Sequence, residues 1–563
     1  MDTLIKPPTP KQLKNEAALK VYCAFLCTLI FLAVVARRLH VLFQKNFSES
    51  RQSQGAQDCF RRRCLLILRL LRKRANNLVW IEKPAWGLVV LVAIYLAGNI
   101  ALSPTILVLY RVNHFASRFG WLAAANMALC VFLAMKNTPL GILANTSHAH
   151  INRLHRIVGY TTVFLVAIHA ALYTVHFARN GKLQSLLKFE DLAGMGAGLC
   201  MLILLMGYFR NRHYEVFYAS HIAGFVFALL LTDLHRPDWA KKLPIVMSLT
   251  GCLWAIDRLI RASRLTYNLI NNQATLYPLP GGTTRLLLTK PSLQFARPGS
   301  HCFLWIPQVS IYQNHPFTIV SNDHDGLELV MKRCDGFTKR VYDLALQNPG
   351  RVARVSIDGP YGSLPDTTIY DKLILIAGGS GGAFTFGFMN YYFSCPKRTL
   401  VQSIDFIWAV KSAEHLGWFV RHLRRMIDCG SNINATIYIT SEEPTLCDDS
   451  GPGLRPDDTQ GGLHSMSQQM IAPDDVTPEC GGSEVLGSER AIKAITKDAN
   501  IIYGKLCTTA VVQDAMKTVR SHDMVLVAAC GPASLTANLR ASVEDYESHF
   551  ISNIDIYCED FSR

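Results

Sequence analysis

The sequence predicts a multi-pass α-helical membrane domain followed by two soluble domains, an antiparallel β-barrel and then a parallel α/β domain. Three observations carry this. Half of the 563 residues are apolar and mean hydropathy is +0.18, too apolar and too long for a single ordinary soluble domain. Several apolar runs approach the ~20 residues that a helix needs to cross a bilayer. After residue 265 the texture changes to short strand-like runs, first separated by turns and then alternating with helical segments.

Seven apolar windows stand near 17–36, 86–110, 119–136, 155–178, 192–209, 214–235 and 243–260. Pro7, Pro8 and Pro10 precede the first, and no small-residue cleavage site follows it, so it is expected to be a retained helix. The net charge is +15, and eleven Lys/Arg against Glu49 and Asp58 fall between Arg37 and Arg74. Lying between apolar spans, this block reads as a cytoplasmic membrane loop and not as a nucleic-acid-binding tail. With the N-terminus outside, the inner loops carry that block, Lys136 with Arg153 and Arg156, Arg210 with Arg212, and Arg258, Arg261 and Arg264. The outer loops carry fewer cations, such as Arg111 with Arg118, or Arg236 with Lys241 and Lys242. The bias places the C-terminal domains in the cytosol. Segment 59–71 mixes Leu and Ile with Arg and suits either an amphipathic surface helix or a plain basic loop. The sixteen cysteines form no CxxC, which excludes a zinc ribbon or a covalently attached c-type haem.

Two spans contain histidines at equal intervals: His155 and His169 in one, His221 and His235 in another, fourteen residues apart in each. Fourteen residues make about 3.9 helical turns, so each pair shares a face with ~21 Å between its members. Facing helices would set His155 opposite His221 near the inner side and His169 opposite His235 near the outer side. A lone histidine in a span reads as a satisfied interior polar group. Two pairs in identical register point to bis-imidazole ligation of two haems. His114, His148, His150, His176 and His213 lack this register and read as surface histidines. Arg153 and Arg156 flank His155 and suit either haem propionates or simple surface anchoring.

Beyond residue 265, Thr284–Leu288, Cys302–Ile306, Phe317–Val320 and Leu327–Lys332 read as barrel strands, separated by Gly/Pro/Asn/Asp turns. Lys372–Ala377, Ile404–Val410, Ala435–Ile439 and Met524–Ala529 alternate with helical segments, as in a parallel sheet. The Gly/Pro/Ser/Asp-rich stretch 441–490 reads as a disordered insertion.

The barrel strands lead into His315-Pro316-Phe317-Thr318-Ile319-Val320-Ser321. Placed after two paired-histidine spans, this heptad resembles the ferric reductase and NADPH oxidase superfamily over roughly residues 85–563. The resemblance implies a ferredoxin-reductase-like module in which the heptad holds FAD. It implies that Lys332, Gly336, Phe337 and Thr338, in the turn Lys332-Arg333-Cys334-Asp335-Gly336-Phe337-Thr338, contact the flavin's pyrophosphate. Gly359-Pro360-Tyr361-Gly362 resembles the family's domain junction on the NADP side. Strand 373–377 runs into Gly378-Gly379-Ser380-Gly381-Gly382, glycines that let a backbone approach a pyrophosphate at a helix start. The run is not a complete GxGxxG, since Phe384 occupies the last glycine position. Cys530-Gly531-Pro532 resembles the nicotinamide-side motif, with Cys530 near hydride transfer.

Lys411 and Lys505 are the candidate cations for a 2′-phosphate. At Lys505 the family has arginine followed by proline, so NADPH preference rests on a point charge without a bidentate fork. The ending Tyr557-Cys558-Glu559-Asp560-Phe561 resembles the segment where an acidic residue and an aromatic lie against the flavin, which assigns catalytic roles to Cys530, Glu559 and Phe561.

The resemblance thus implies five segments: an extracytoplasmic 1–16, a first span with basic loop 17–84, a haem-binding domain 85–264, a flavin barrel 265–368 and an NADP domain 369–563. It further implies NADPH, FAD and two b haems, with ferric or cupric chelates as extracytoplasmic acceptors. The first span and the glycine run resemble fungal ferric reductases more than oxidases. An NADPH oxidase making superoxide is the nearest rival, and a non-enzymatic haem membrane sensor is another. The expected setting is the plasma membrane, with the vacuolar membrane as the alternative. A metal permease or oxidase partner is left open, and no nucleic acid is expected.

Overall fold

The computed structural model describes residues 9–52, 86–104, 111–144, 148–205, 214–235, 242–289, 296–311, 313–362, 364–395, 401–429, 432–441, 499–520, 523–549 and 553–560. The chain divides into two compact units, with the main boundary in the sequence after Thr266.

The first unit is helical. Its elements are α1 (Pro10–Gln52), α2 (Trp86–Leu102), α3 (Val112–Ala134), the short α4 (Pro139–Leu143), α5 (His148–Arg179), α6 (Phe189–Leu204), α7 (Tyr214–Leu234) and α8 (Lys242–Asn271). Five of them, α1, α3, α5, α7 and α8, are long and apolar enough to cross a membrane. The windows near 86–110 and 192–209 fall on the shorter α2 and α6, of 17 and 16 residues. Helices with this much apolar surface cannot bury all of it among themselves. Phe31, Phe164, Leu199, Phe227 and Leu259 are exposed, as a face turned to lipid requires.

Inside the bundle, Tyr22, Tyr95, Leu122, Ile151, Val158 and Leu165 pack α1, α2, α3 and α5 together. Met127, Met201, Ala228 and Met247 join α3, α6, α7 and α8. Several arginines expected in loops are helical instead: Arg37, Arg38 and Arg51 lie on α1 and Arg153 and Arg156 on α5. Arg118 is buried within α3, donating from Nε to Asn15 Oδ1 at 3.0 Å and from Nη1 to the Leu102 carbonyl at 3.1 Å. These acceptors replace the water that a loop would supply. Arg258, Arg261 and Arg264 lie on α8, which continues well past residue 260.

The second unit holds two sheets. The first runs β6-β1-β2-β5-β4-β3-β7, formed by β1 (Gln273–Leu279), β2 (Thr283–Leu288), β3 (His301–Trp305), β4 (His315–Asp323), β5 (Gly326–Lys332), β6 (Arg351–Arg354) and β7 (Ser356–Tyr361). Its hairpin pairs are antiparallel, and α9 (Phe337–Gln347) packs Phe337, Val341 and Ala345 into its core. The second sheet is parallel, in the order β11-β10-β9-β8-β12-β13. Its strands are β8 (Lys372–Gly378), β9 (Ser403–Val410), β10 (Ile433–Ile439), β11 (Asn500–Tyr503), β12 (Met524–Gly531) and β13 (Asn553–Asp560). Helices α10 (Gly382–Ser394), α11 (Val420–Cys429), α12 (Thr508–Met516) and α13 (Ala533–His549) cover it.

Parallel strands buried on both faces read as continuous apolar runs, and Lys372–Gly378 is buried through six consecutive residues. The basic loop beyond Gln52, the cations Arg210, Arg212, Arg236 and Lys241, and nearly all of the 441–490 insertion lie outside the described residues.

The two sheets of this unit are joined by close approach and by charge. A Cβ on Gly387 of α10 would lie 2.5 Å from Gly299 N and 2.7 Å from Ile319 O, so only glycine lets the helix rest on the barrel. Beside it, buried Glu328 of β5 accepts from Arg285 Nε at 2.7 Å, Ser321 Oγ at 3.0 Å and His422 Nε2 of α11 at 2.8 Å.

Candidate functional site

The helical unit brings the four histidines together as the equal intervals require. His155 and His169 lie on α5, His221 lies on α7 and His235 directly follows it. The His155 and His221 rings face each other with centroids 6.4 Å apart, and those of His169 and His235 are 6.0 Å apart. A metal–imidazole bond of about 2 Å on each side, plus roughly 1 Å from each nitrogen to its ring centre, requires centres about 6 Å apart. Both gaps therefore fit one metal ion held by two imidazoles.

Backbone carbonyls aim three of the rings. The His155 Nδ1 lies 2.9 Å from Cys130 O, His169 Nδ1 2.7 Å from Ala116 O and His235 Nδ1 2.7 Å from Glu190 O. A carbonyl only accepts, so each Nδ1 carries the proton and each Nε2 keeps its lone pair, the form a metal takes. The His221 Nδ1 is buried without a hydrogen-bond partner among the described residues. Glycines supply the space for the outer pair. A Cβ on Gly120 would lie 2.7 Å from His169, and one on Gly194 would lie 2.4 Å from His235. His176 stays out of register, its ring 6.5 Å from that of Tyr173. Among the described residues no cluster of three or more His, Cys, Asp or Glu forms, so these sites are pairs.

In the barrel, the predicted flavin heptad is the start of β4. Pro316 is exposed, whereas Thr318, Ile319, Val320 and Ser321 are buried. The predicted phosphate turn becomes the β5–α9 connection. Gly336, at φ 86°, caps α9, and Thr338 Oγ1 accepts from Cys334 N at 2.8 Å. The two motifs meet: the His315 and Phe337 rings are 4.6 Å apart, and Phe317 stacks on Phe337 at 6.3 Å. An aromatic wall thus stands beside a helix N-terminus flanked by Lys332 and Arg333, chemistry that suits a flavin ring joined to a pyrophosphate.

In the parallel sheet, the glycine turn and Cys530-Gly531-Pro532 are neighbours. Ala377 pairs with Cys530, and Cys530 pairs with Glu559 on β13. A Cβ on Gly381 would lie 2.2 Å from Cys530 O, and one on Gly378 would meet Pro532 and Leu535 at 2.9 Å. From β8 the strand order proceeds to β9 on one side and jumps to β12 on the other. A dinucleotide binds at such a switch point, at the carboxyl ends of the strands. Trp408 of β9, absent from the sequence-based set, donates its indole N–H to Gly379 O at 2.9 Å and so orients the glycine turn.

Tyr557 stacks on Phe384 at 5.8 Å and donates to Glu559 Oε1 at 2.5 Å. Burial, reinforced by the Glu559 charge, pushes its phenol well above the usual range. Lys411 and Lys505 follow β9 and β11 on the same carboxyl edge, and both are exposed. Residues 359–361 of the segment Gly359–Gly362 end β7 in the barrel sheet, where a cis peptide precedes Pro360. Phe561 lies outside the described residues.

Three family models match in succession. Residues 119–232 match "Ferric reductase like transmembrane component", 268–364 an "FAD-binding domain" and 370–544 a "Ferric reductase NAD binding domain". A "Probable ferric reductase transmembrane component" of Candida albicans is 26% identical over 337 residues, 58% of this chain and 49% of the relative. "Ferric reductase transmembrane component 6" of Saccharomyces cerevisiae is 24% identical over 468 residues, 79% of this chain and 60% of the relative. The chain therefore spans about half the length of the curated relatives it matches. A solved ferredoxin NADP+ reductase from Neisseria gonorrhoeae aligns with 51% of this chain and 97% of its own at 12% identity, TM-score 0.32.

Proposed function

The chain belongs to the fungal ferric reductase family, a multi-pass membrane family with FAD- and NAD-binding domains, and from that premise we propose that it is a transmembrane metalloreductase. It takes electrons from cytosolic NADPH and delivers them to ferric or cupric chelates on the far side of the plasma membrane. The observation that carries this reading is the pair of facing histidine sets, 6.4 Å and 6.0 Å between ring centres, about four helical turns apart on α5. Such a ladder has no use in a soluble reductase and suits one-electron passage through hydrocarbon.

His155 with His221, and His169 with His235, would each hold one b haem, their Nδ1 protons fixed by Cys130, Ala116 and Glu190. Bound there, NADPH would supply two electrons as a hydride, and FAD and the haems would supply the change to one-electron transfer. The chain's own contribution is placement. His315, Phe317 and Phe337 would wall the flavin, while Gly336 and Thr338 with Lys332 would seat its phosphates. Gly378–Gly382, held by Trp408, seat the dinucleotide, and Lys411 and Lys505 offer charge to a 2′-phosphate. Cys530 and Glu559, paired across β12 and β13 at the switch point, would be the groups nearest the hydride. A permease or oxidase that takes up the reduced metal is a fitting partner.

The test is side-specific reduction by intact cells expressing the protein, with superoxide assayed in parallel. Impermeant ferric and cupric chelates should be reduced at the cell surface in an NADPH-dependent manner. Superoxide production that persists with metal sequestered, and no chelate reduction, would overturn the proposal.

A further inference from the structure

The outer end of the helical unit holds a cation that the electron path does not use. Lys11 lies in the first turn of α1, half-buried. Its Nζ sits 5.9 Å from the centre of the Tyr173 ring. Tyr173 in turn lies edge-on to His169, centroids 5.1 Å apart. Lysine, phenol and outer histidine thus form a file. His176 flanks the phenol. The neighbouring Asn15 is committed elsewhere, donating to Ser117 Oγ at 3.0 Å and accepting from Arg118.

Lys11 is unfavourably placed by three criteria. A cation in the first turn of a helix opposes the dipole, which favours anions there. Partial burial withdraws it from water. Among the described residues no carboxylate pairs with it, whereas nearby Glu16 is taken by Lys242 and Lys20. The cation–π contact with Tyr173, at 5.9 Å, offsets only a part of this cost. An ammonium kept at such a place is complete only when an anion arrives.

We infer that Lys11, with Tyr173 beneath it, is a carboxylate seat at the electron exit beside the outer histidine pair. This rests on the reading that His169 and His235 hold the outer haem. Two carboxylates can reach that place, a propionate of that haem or the carboxylate of an anionic metal chelate, and the seat's chemistry is the same for both. In either case the first span, through Lys11, belongs to the exit of the electron path and is more than an anchor.

The test uses the full-length protein in membranes, with Lys11→Gln and Lys11→Arg. Two quantities are read: KM for ferric citrate against KM for hexaammineruthenium(III), and the midpoint potentials of both haems, the inner one reporting an intact fold. If the chelate is the ligand, Lys11→Gln raises KM for ferric citrate about tenfold, the cationic acceptor is unaffected and Lys11→Arg restores the value. If the propionate is the ligand, Lys11→Gln lowers the outer potential alone, because one positive charge that favoured the added electron is gone. Unchanged KM and unchanged potential would overturn the inference, as would an equal KM rise for both acceptors. Failure of the wild-type protein to show two haems would remove the reading beneath it, and the inference with it.

Discussion

Replacing Gly194 with alanine should unseat the outer histidine pair and spare the inner one. A Cβ at this position would stand 2.4 Å from His235 Nδ1, 2.6 Å from Cε1 and 2.7 Å from Cγ, where ordinary contact begins near 3.4 Å. Because Cγ sits at the root of the ring, rotating the imidazole does not clear the methyl, and the whole side chain must withdraw. Withdrawal pulls Nδ1 from Glu190 O, now at 2.7 Å. An off-rotamer side chain costs about 1 kcal/mol and the lost hydrogen bond about 1 more, so the ligating position loses about thirtyfold in occupancy. The gain of about 1 kcal/mol from alanine in a helix acts on α6 and not on the ring, so it does not offset this loss. The assay is haem content with low-temperature spectra and redox titration of the purified variant. One low-spin signal should weaken or convert to high spin while the other keeps its potential. Gly159→Ala is the control, since its Cβ meets only Cys130 Sγ at 3.6 Å. Two unaltered low-spin signals in Gly194→Ala, or equal damage in Gly159→Ala, would refute the reasoning.

Three further outcomes are expected. His169→Ala should abolish surface chelate reduction and one haem signal yet leave NADPH-driven flavin reduction; two surviving signals would break the pairing scheme. Trp408→Phe removes the donor to Gly379 O and should raise KM for NADPH up to about tenfold with FAD content unchanged, the worth of about one hydrogen bond; an unaltered KM counts against its role in aiming the turn. Burial alone would raise the Glu328 carboxyl, but His422, Arg285 and Ser321 outweigh it and hold it at about 2 against an ordinary 4.5. A depressed carboxylate stabilises the fold above its unfolded value and loses that contribution as pH falls from about 4.5 through about 2, here about 3 kcal/mol. Thermal melting across that window should show Glu328→Gln losing less stability on acidification than the wild type, and parallel curves would contradict this.

What was legible in the sequence followed from periodicity. Each of the seven apolar windows falls on a described helix, only the short α4 having none, and the fourteen-residue interval placed four histidines in two facing pairs. The seats of those histidines were hidden, because Cys130, Ala116 and Glu190 act through backbone carbonyls, which no side chain announces. Gly120 and Gly194 were silent for a similar reason, since a helical glycine signals nothing until its neighbour is known. Arg118 shows the opposite error. A charge near the end of an apolar run reads as a loop, but Asn15 and the Leu102 carbonyl satisfy it inside the bundle. Among the strands, β6 and β11 are four-residue edges too short to show an alternation, and β1 follows α8 after a single residue, with Pro278 interrupting its pattern. Residues 359–361 of the motif Gly359–Gly362 form the end of β7, the last strand of the barrel before the parallel sheet begins.

The first span was the least diagnostic part of the sequence, yet it is bound into the bundle by polar groups that hydrocarbon would not tolerate unpaired. The Tyr22 hydroxyl lies 2.8 Å from Asn99 Oδ1 and 2.9 Å from Asn126 Oδ1, and the Tyr95 hydroxyl donates to Asn126 Oδ1 at 2.7 Å. Asn126 Nδ2 donates onward to Asn99 Oδ1 at 2.9 Å, and Asn99 Nδ2 to Tyr95 O at 2.9 Å. Each amide and hydroxyl is satisfied only when α1, α2 and α3 stand in one register, for a shift of a turn would strand several of them in lipid. Apolar packing alone tolerates sliding, because lipid tails are as apolar as leucine. This network therefore fixes the height of α1 against α3, the helix whose Ala116 carbonyl and Gly120 seat His169. The first span thereby sets the level at which Lys11 meets the outer pair.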